Sequence, residues 1–475
     1  MQDSISQKLI TPGGDASYNY TDEIYNIRLK DPKTGILIPT SIIRELYIDE
    51  NMFSILSTFK LVIEDKGAFF SGINLKNGEK IYFQITPNIT VVGEEPKPYI
   101  DAEYCIQSIT CLPDIGTNNY VYTIVGIYNS QNYLNEIATY PKHNKLAAFN
   151  STRYTSTEAI KEVISDTNLK FINHIKSNDK SLWINGQNNR AQFIDKIVNH
   201  AWIEEGDSPL IYSDLNGNAH YTSIKTLCKN KYMVKFEHMK YHYDRNKSDI
   251  QDELTMLYGD IDFLNASGPI LNQGGYTISE IYYTPYNKSK LKEKDIAVTD
   301  TNFAKQMANL LLSSKDISVT DLVTAKMLAN RTSGKCRKIT YKNNDTYLSM
   351  ENNKDSSQLN RITKNVNAGM HFQDFHDYYD IAPAHNEMVR RSFFQNFVNM
   401  LVDVHRLPDD FRNDKCRPKL GNKIYIDFSN VDSIDKIHSG NYIICGIKHC
   451  FKMGHSYTMQ MYCVTDGTFG KGVLE

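Results

Sequence analysis

The chain has little tryptophan and no surplus of either charge. Two tryptophans stand against 31 tyrosines, and 53 Lys plus Arg nearly balance 55 Asp plus Glu over 475 residues, a net charge of −2. A nucleic-acid binder calls for a basic surplus or stripe, so specific nucleic-acid binding is not expected. No apolar run approaches the length of a membrane span. The longest cluster, Phe397 to Val404, is broken by Asn399 and Asp403. The first residues, MQDSISQKLITPGG, lack the basic and then apolar stretches of a secretory signal, so synthesis and residence in a cytoplasm are expected. The eight cysteines (Cys105, Cys111, Cys228, Cys336, Cys416, Cys445, Cys450 and Cys463) contain no C-x-x-C and no zinc-finger spacing. Reduced structural thiols are the expectation. Phosphate loops are missing too: Gly13-Gly14 and Gly274-Gly275 are turn pairs with no following helix and Lys-Ser/Thr.

What is present is mostly strand. Hydrophobic residues at 41% and charged residues at 23% suit a soluble chain with sizeable cores, and the length suggests about three domains. Up to residue 150, runs at 24–29, 42–48, 57–65, 81–85, 102–111 and 120–128 alternate apolar and polar residues, with turns at Pro32/Gly35 and Asn77-Gly78. Short strands at regular spacing predict a small antiparallel β-barrel or sandwich. From 151 to 235 the pattern changes. Thr155 to Glu158 starts one helix, a second runs from Asn189 to Trp202, and Leu210 to Tyr221 reads as a hairpin on Asn216-Gly217. The region 236–365 is a mixed α/β connection, with helices near Phe303 to Leu311 and Leu322 to Leu328. Strand character returns from Cys336 to Met350, interrupted by the polar tract Lys342 to Asp345. From 366 to 475 β character dominates: 398–404, 421–428, and the closing hairpin from Gly440 to Gly467. Ile443, Cys445, Ile447, His449 and Phe451 should share one face of its first arm; Tyr457, Met459, Met461 and Cys463 should share one face of its second. The expected fold is mainly β with α+β insertions: two small antiparallel β-barrels joined by mixed α/β domains.

Two constellations carry candidate chemistry. His371, Asp374, His376, Asp377, Asp380 and His385 offer metal-ligand types, but the five-residue step from His371 to His376 puts those two on opposite faces of a strand, and no H-E-x-x-H frame exists. A polar, aromatic loop or strand is the plainer reading. Glu204, Glu205 and Asp207 could pair as glycosidase carboxylates, although adjacent acids after a helix usually form a solvated turn. Arg390-Arg391 with Phe393, Phe394 and Phe397 reads better as a helix with one buried face than as a nucleic-acid platform. No catalytic, cofactor-binding or metal residue is assigned.

Three stretches together resemble the baseplate hub family of contractile-tailed bacteriophages, which includes the phage late control proteins and the hub part of type VI secretion spikes. They are Ile43 to Phe53 with Leu61 to Asp65 and Leu75 to Ile81; Asn189 to Tyr221; and Leu420 to Ile426 with Ser439 to Ile444, Ile447 to His449 and Tyr457 to Met459. The third resembles the closing-barrel pattern G-D-x-V…S-G-x-Y-L-I…V-x-H…Y-x-T. The resemblance implies a non-enzymatic structural virion protein without cofactor. Two similar barrels per protomer would form a homotrimer of pseudo-sixfold symmetry. That ring would adapt the sixfold tail tube to a threefold central spike around the DNA exit channel, with tape measure and baseplate wedge proteins as further contacts. Assembly in the host cytoplasm and residence in the virion tail baseplate follow from it. No needle-like repeat follows Gly467, so the spike is expected as a separate protein. A tail-associated wall-degrading enzyme, using Glu204, Asp207 or the His371–His385 region, and a Tyr-rich receptor-binding adhesin are the competing readings.

Overall fold

A computed structural model describes residues 23–65, 69–70, 73, 75–87, 97–114, 119–135, 137, 153–185, 188–204, 207–230, 376, 378–379, 382–394, 396–404, 417–427, 439–452 and 457–465. It also describes the backbone of short strands at 235–238, 255–258, 261–265, 280–284, 295–297 and 338–343. The six period-two runs near the N-terminus fold as β1 (Glu23–Leu29), β3 (Ile43–Asn51), β4 (Ser54–Asp65), β5 (Lys80–Pro87), β6 (Ile100–Asp114) and β7 (Asn119–Tyr128), and a short β2 (Ile36–Leu37) not expected from the sequence follows β1. All neighbours pair antiparallel, in the order β3-β4-β7-β6-β5-β1-β2. Alternation explains why: in β5 the residues Ile81, Phe83 and Ile85 are buried and their neighbours are not.

The middle of the chain starts with α1 (Ser156–Ile164), β8 (Lys170–Asn173), α2 (Arg190–His200), β9 (Pro209–Ser213), β10 (Asn218–Ser223) and α3 (Ile224–Lys229). Both long helices begin with a capping box, Thr155 with Glu158 and Asn189 with Gln192, which satisfies otherwise orphaned amides. The β9–β10 hairpin turns on Asn216-Gly217, and Gly217 takes the positive φ of 73° that such a turn needs. Strand β8 joins β10 in parallel, a pairing the sequence did not suggest. Ile160, Val163, Phe193, Ile197 and Tyr221 pack with Trp183 and the start of β4 in a core separate from the main one.

The remaining elements are β11 (Lys235–His238), β12 (Thr255–Tyr258), β13 (Ile261–Asn265), β14 (Glu280–Thr284), β15 (Asp295–Ala297), β16 (Lys338–Asn343), α4 (Ala382–Phe393), β17 (Asn396–Asp403), β18 (Lys423–Asp427), β19 (Gly440–Lys452) and β20 (Thr458–Thr465). Lys342 and Asn343, expected in a turn, stay in strand because both pair with β14. The helix expected around Arg390 ends at Phe393, and Phe397 belongs to β17. The helices expected near Phe303 and Leu322, and the 453–456 link of the closing hairpin, lie outside the described residues.

The mainly-β class with helical insertions is as expected. Among the described residues no sheet closes on itself, and both ends of the chain join one 14-stranded sheet. The reason lies in β19, which is long enough to pair with β18 over its first residues and with β3 over its last, while β20 pairs along it. A bulge between Ile444 and Gly446 also changes the faces of this strand. Ile444, rather than Ile443 or Cys445, joins the face of Ile447, His449 and Phe451, and Tyr442 to Ile447 are buried without alternation.

One backbone approach tests this packing. A Cβ built on Gly126, in the middle of β7, would lie 2.2 Å from the Cys105 carbonyl oxygen and 2.4 Å from Phe59 Cε1. Gly126→Ala therefore has to move a central strand. We expect a loss of about 3 kcal/mol or more, comparable to severe overpacking, measured as a shift of the chemical-unfolding midpoint.

Candidate functional site: the seam between the chain ends

Strands β3 and β19 run antiparallel from Asn51↔Gly446 to Glu45↔Lys452, so residues about 400 positions apart become direct neighbours. On the inner face Leu46, Ile48, Ile447 and Phe451 are fully buried. Two polar side chains share that face. Glu50 is 4% exposed and His449 2%. The His449 Nε2 lies 3.3 Å from Glu50 Oε1, and its Nδ1 lies 2.6 Å from the Tyr457 hydroxyl. Burial holds the Tyr457 phenol well above its ordinary range, so it stays a hydroxyl and donates to Nδ1. This assigns the Nε2–H to Glu50 and satisfies both ring nitrogens. Tyr457 in turn stacks on Phe451 at 4.3 Å and leans on Tyr99 at 4.9 Å, while its carbonyl accepts from the Val404 amide.

The outer face of the seam is polar. Lys448 and Lys452 lie over the Tyr47 ring at 4.8 and 5.9 Å, Tyr47 donates to Glu45, and Lys452 pairs with Glu45 at 3.7 Å. Such exposed pairs contribute a few tenths of a kcal/mol to about 1 kcal/mol each. They orient the face more than they hold it.

The histidine-rich stretch serves a different joint. His376 packs against the end of α2: its amide donates to Ser181 Oγ and its Nε2 lies 2.9 Å from the His200 carbonyl. His200 Nδ1 meets the Tyr379 carbonyl at 3.0 Å, and the two rings stack at 4.2 Å. Trp202 stacks on Tyr378 at 4.3 Å and meets His385 at 4.6 Å. Further along, Asn386 donates to the Asn199 and Ala201 carbonyls, and Arg390 donates to Ser208 Oγ, Asn199 Oδ1 and the Pro209 carbonyl. These side chains bind the segment leading into β17 to the helical unit. His376 and His385 are brought near one aromatic cluster but not to a common ligand point. Among the described residues no three His, Cys, Asp or Glu side chains converge where a metal ion would fit. His371, Asp374, Asp377, Asp380 and Glu205 lie outside the described residues.

Glu204 pairs with Lys225, and the buried Asp207 accepts from the amides of Ser208 (2.9 Å) and Lys225 (3.0 Å), the latter in the first turn of α3. The two carboxylates thus meet the same residue, Glu204 on the Lys225 ammonium and Asp207 on its amide. The six described cysteines are free thiols, and burial pushes Cys445 up to about 12, leaving it unreactive.

Sequence reading missed Glu50. The signal was available: Leu46, Ile48 and Glu50 are successive inward positions of one strand, and a carboxylate there needs a partner.

No protein-family profile matches this chain and no curated protein does. Among solved structures, a tail protein from Neisseria meningitidis MC58 is 9% identical, with 94% of this chain and 98% of that one covered and a TM-score of 0.46. The 43 kDa tail protein of prophage MuSo2 from Shewanella oneidensis is 10% identical, with 93% and 97% covered and a TM-score of 0.47. An E. coli component of the type VI secretion system, described as structurally similar to bacteriophage T4 tail proteins, is 7% identical, with 94% and 80% covered and a TM-score of 0.33. These neighbours are phage tail and type VI secretion proteins, the class that the sequence motifs resemble.

Two outcomes check the site. Glu50→Leu and His449→Leu should each cost about 3 kcal/mol, because each strands a buried polar partner, while the double variant should cost clearly less than their sum in a denaturant double-mutant cycle. Burial raises the Asp207 carboxyl above its ordinary range, so its charge opposes folding at neutral pH and that penalty fades as the group protonates. Asp207→Asn should therefore be as stable as the parent or more so at pH 7, with the advantage shrinking toward about pH 3.5, read from urea midpoints.

Proposed function

We propose that this chain is a structural protein of a phage-type tail, a hub protomer that works by rigid assembly rather than by catalysis. The observation that carries the reading is the seam: both ends of the chain are locked into one sheet through a buried Glu50–His449–Tyr457 network. A subunit that transmits load through a ring needs its N-terminal and C-terminal strands fixed to each other, and the pairing of positions 45–51 with 446–452 does that.

Open edges supply the means of association. Among the described residues, the distal half of β6 extends past its pairing with β5, and β2 and Ile38 cover β1 from Ile27 to Leu29 while leaving its first residues uncovered. Ile24, Ile36 and Leu37 are exposed along one edge, and Leu112 and Tyr120 at the tip of the β6–β7 hairpin. Edges that are unpaired among the described residues and carry apolar side chains invite strand pairing with another chain. In this reading three copies close a ring that pairs such edges, presents pseudo-sixfold surfaces to a tail tube and threefold surfaces to a separate spike, and surrounds a DNA channel. The domain limits near 150, 235 and 365 belong to the same proposal, as do residence in the virion tail and assembly in the host cytoplasm. No helix of the described residues is long and apolar enough to cross a membrane.

Light scattering across a concentration series, with negative-stain images of the same sample, tests the reading. A trimer with a central hole is the expected result. A monomer that stays monomeric on mixing with tube and spike proteins would overturn it.

A further inference from the structure

The helical unit contains a line of three titratable side chains that the hub reading does not use. Asp214, in the β9–β10 turn, is held by the amides of Asn216 and Asn218 and by the Asn218 side chain. Its Oδ2 lies 3.4 Å from His220 Nε2. His220 Nδ1 lies 2.9 Å from His174 Nε2. The imidazole planes differ by 12° with centroids 5.3 Å apart, so the rings lie side by side in one plane with nitrogens facing, rather than face to face. Such a contact requires one hydrogen between two nitrogens.

The protons follow from the carboxylate. Asp214 accepts the Nε2–H of His220, which leaves Nδ1 of that ring as an acceptor, and His174 donates its Nε2–H to it. A first added proton leaves one imidazole neutral, and the bond survives with donor and acceptor exchanged or kept. A second proton makes both rings donors at 2.9 Å, and the contact becomes a repulsion between two cations. Two phenols lie against the line. Tyr212 stacks on His220 at 5.3 Å, and the Tyr128 hydroxyl lies against Gly217; both phenols are raised by burial and by Asp214, and the more distant Glu103 and Glu50 act on those phenols. His174 is itself an exposed residue, and its partial burial, followed by the neighbouring His220, holds it below the usual imidazole range.

His174 stands where β8 ends, with its amide on the Tyr221 carbonyl at 2.9 Å. The segment that follows ties the unit together. Ser177 Oγ meets Thr157 Oγ1 at 2.9 Å, Asp179 accepts from the amides of Ser156 and Trp202, and Ser181 Oγ accepts from the His376 amide. We propose that the line Asp214–His220–His174 is an acid-operated latch: it holds β8 and the 174–181 segment while at most one imidazole is charged, and releases them when both are. Its release loosens the start of α1, the end of α2 and the seat of His376 together, without touching the β3–β19 seam.

Hydrogen exchange of the full chain, read by mass spectrometry at pH 7 and about pH 5 and corrected for intrinsic rates, tests the latch. Peptides covering 174–181 should exchange about tenfold faster at the lower pH, the effect of one pKa unit of repulsion, while those covering β3 and β4 should not. In His174→Gln the difference should vanish. In the parent protein the His174 ring signals should titrate over the pH range in which exchange accelerates. Acceleration of the same size in His174→Gln, or none in the parent protein, would overturn the proposal.

Discussion

Everything distant in this chain is brought together by one long strand with two partners on the same edge. Strand β19 gives its first residues to β18 and its last to β3, with the bulge at Cys445 between them. The bulge adds local twist and moves one residue out of register, so Ile444 can enter the face of Ile447 and His449. Without it, strict alternation would place Ile443 and Cys445 on the face of His449 and Ile444 on the other. The main core runs through both ends of the chain because of this strand: Phe59, Phe83 and Tyr104 from one end share a cluster with Val398, Met461 and Val464 from the other.

A polar network at such a joint has a physical consequence that an apolar one lacks. A hydrophobic pair tolerates a slip of register, whereas His449 between Glu50 and Tyr457 has satisfied nitrogens in one register only. Buried polar groups contribute little net stability and penalise wrong pairings heavily. The seam therefore favours one alignment of the two ends of the sheet. The second joint, where His376, Tyr378, Asn386 and Arg390 meet the end of α2 and the start of β9, works the same way through backbone carbonyls. Histidine there acts as a donor on a scaffold, not as a ligand.

The local structure was open to reading from residues alone. Period-two runs gave the positions of β1, β3 to β7 and β17 to β20, and the Thr155–Glu158 box and the Asn189 cap marked α1 and α2, because alternation, caps and Asn-Gly turns are physics of a few adjacent residues. Sequence also placed His449 on an inward face, without showing what it would meet.

Pairing between distant strands was not legible. Nothing near Leu46 in the chain says that Phe451 will lie beside it, and nothing in the period of β19 announces the bulge that changes its faces. The expectation of two separate barrels followed from counting strands at each end, and only the tertiary structure decided that the ends share a sheet. Glu50 became a site residue for the same reason: a carboxylate at an inward position is an anomaly in sequence, and its meaning depends on a histidine 399 residues away. Local free energies of a few residues are written in their order along the chain, while the partners of an open strand edge are chosen by which long-range contacts bury the most surface with every polar group satisfied.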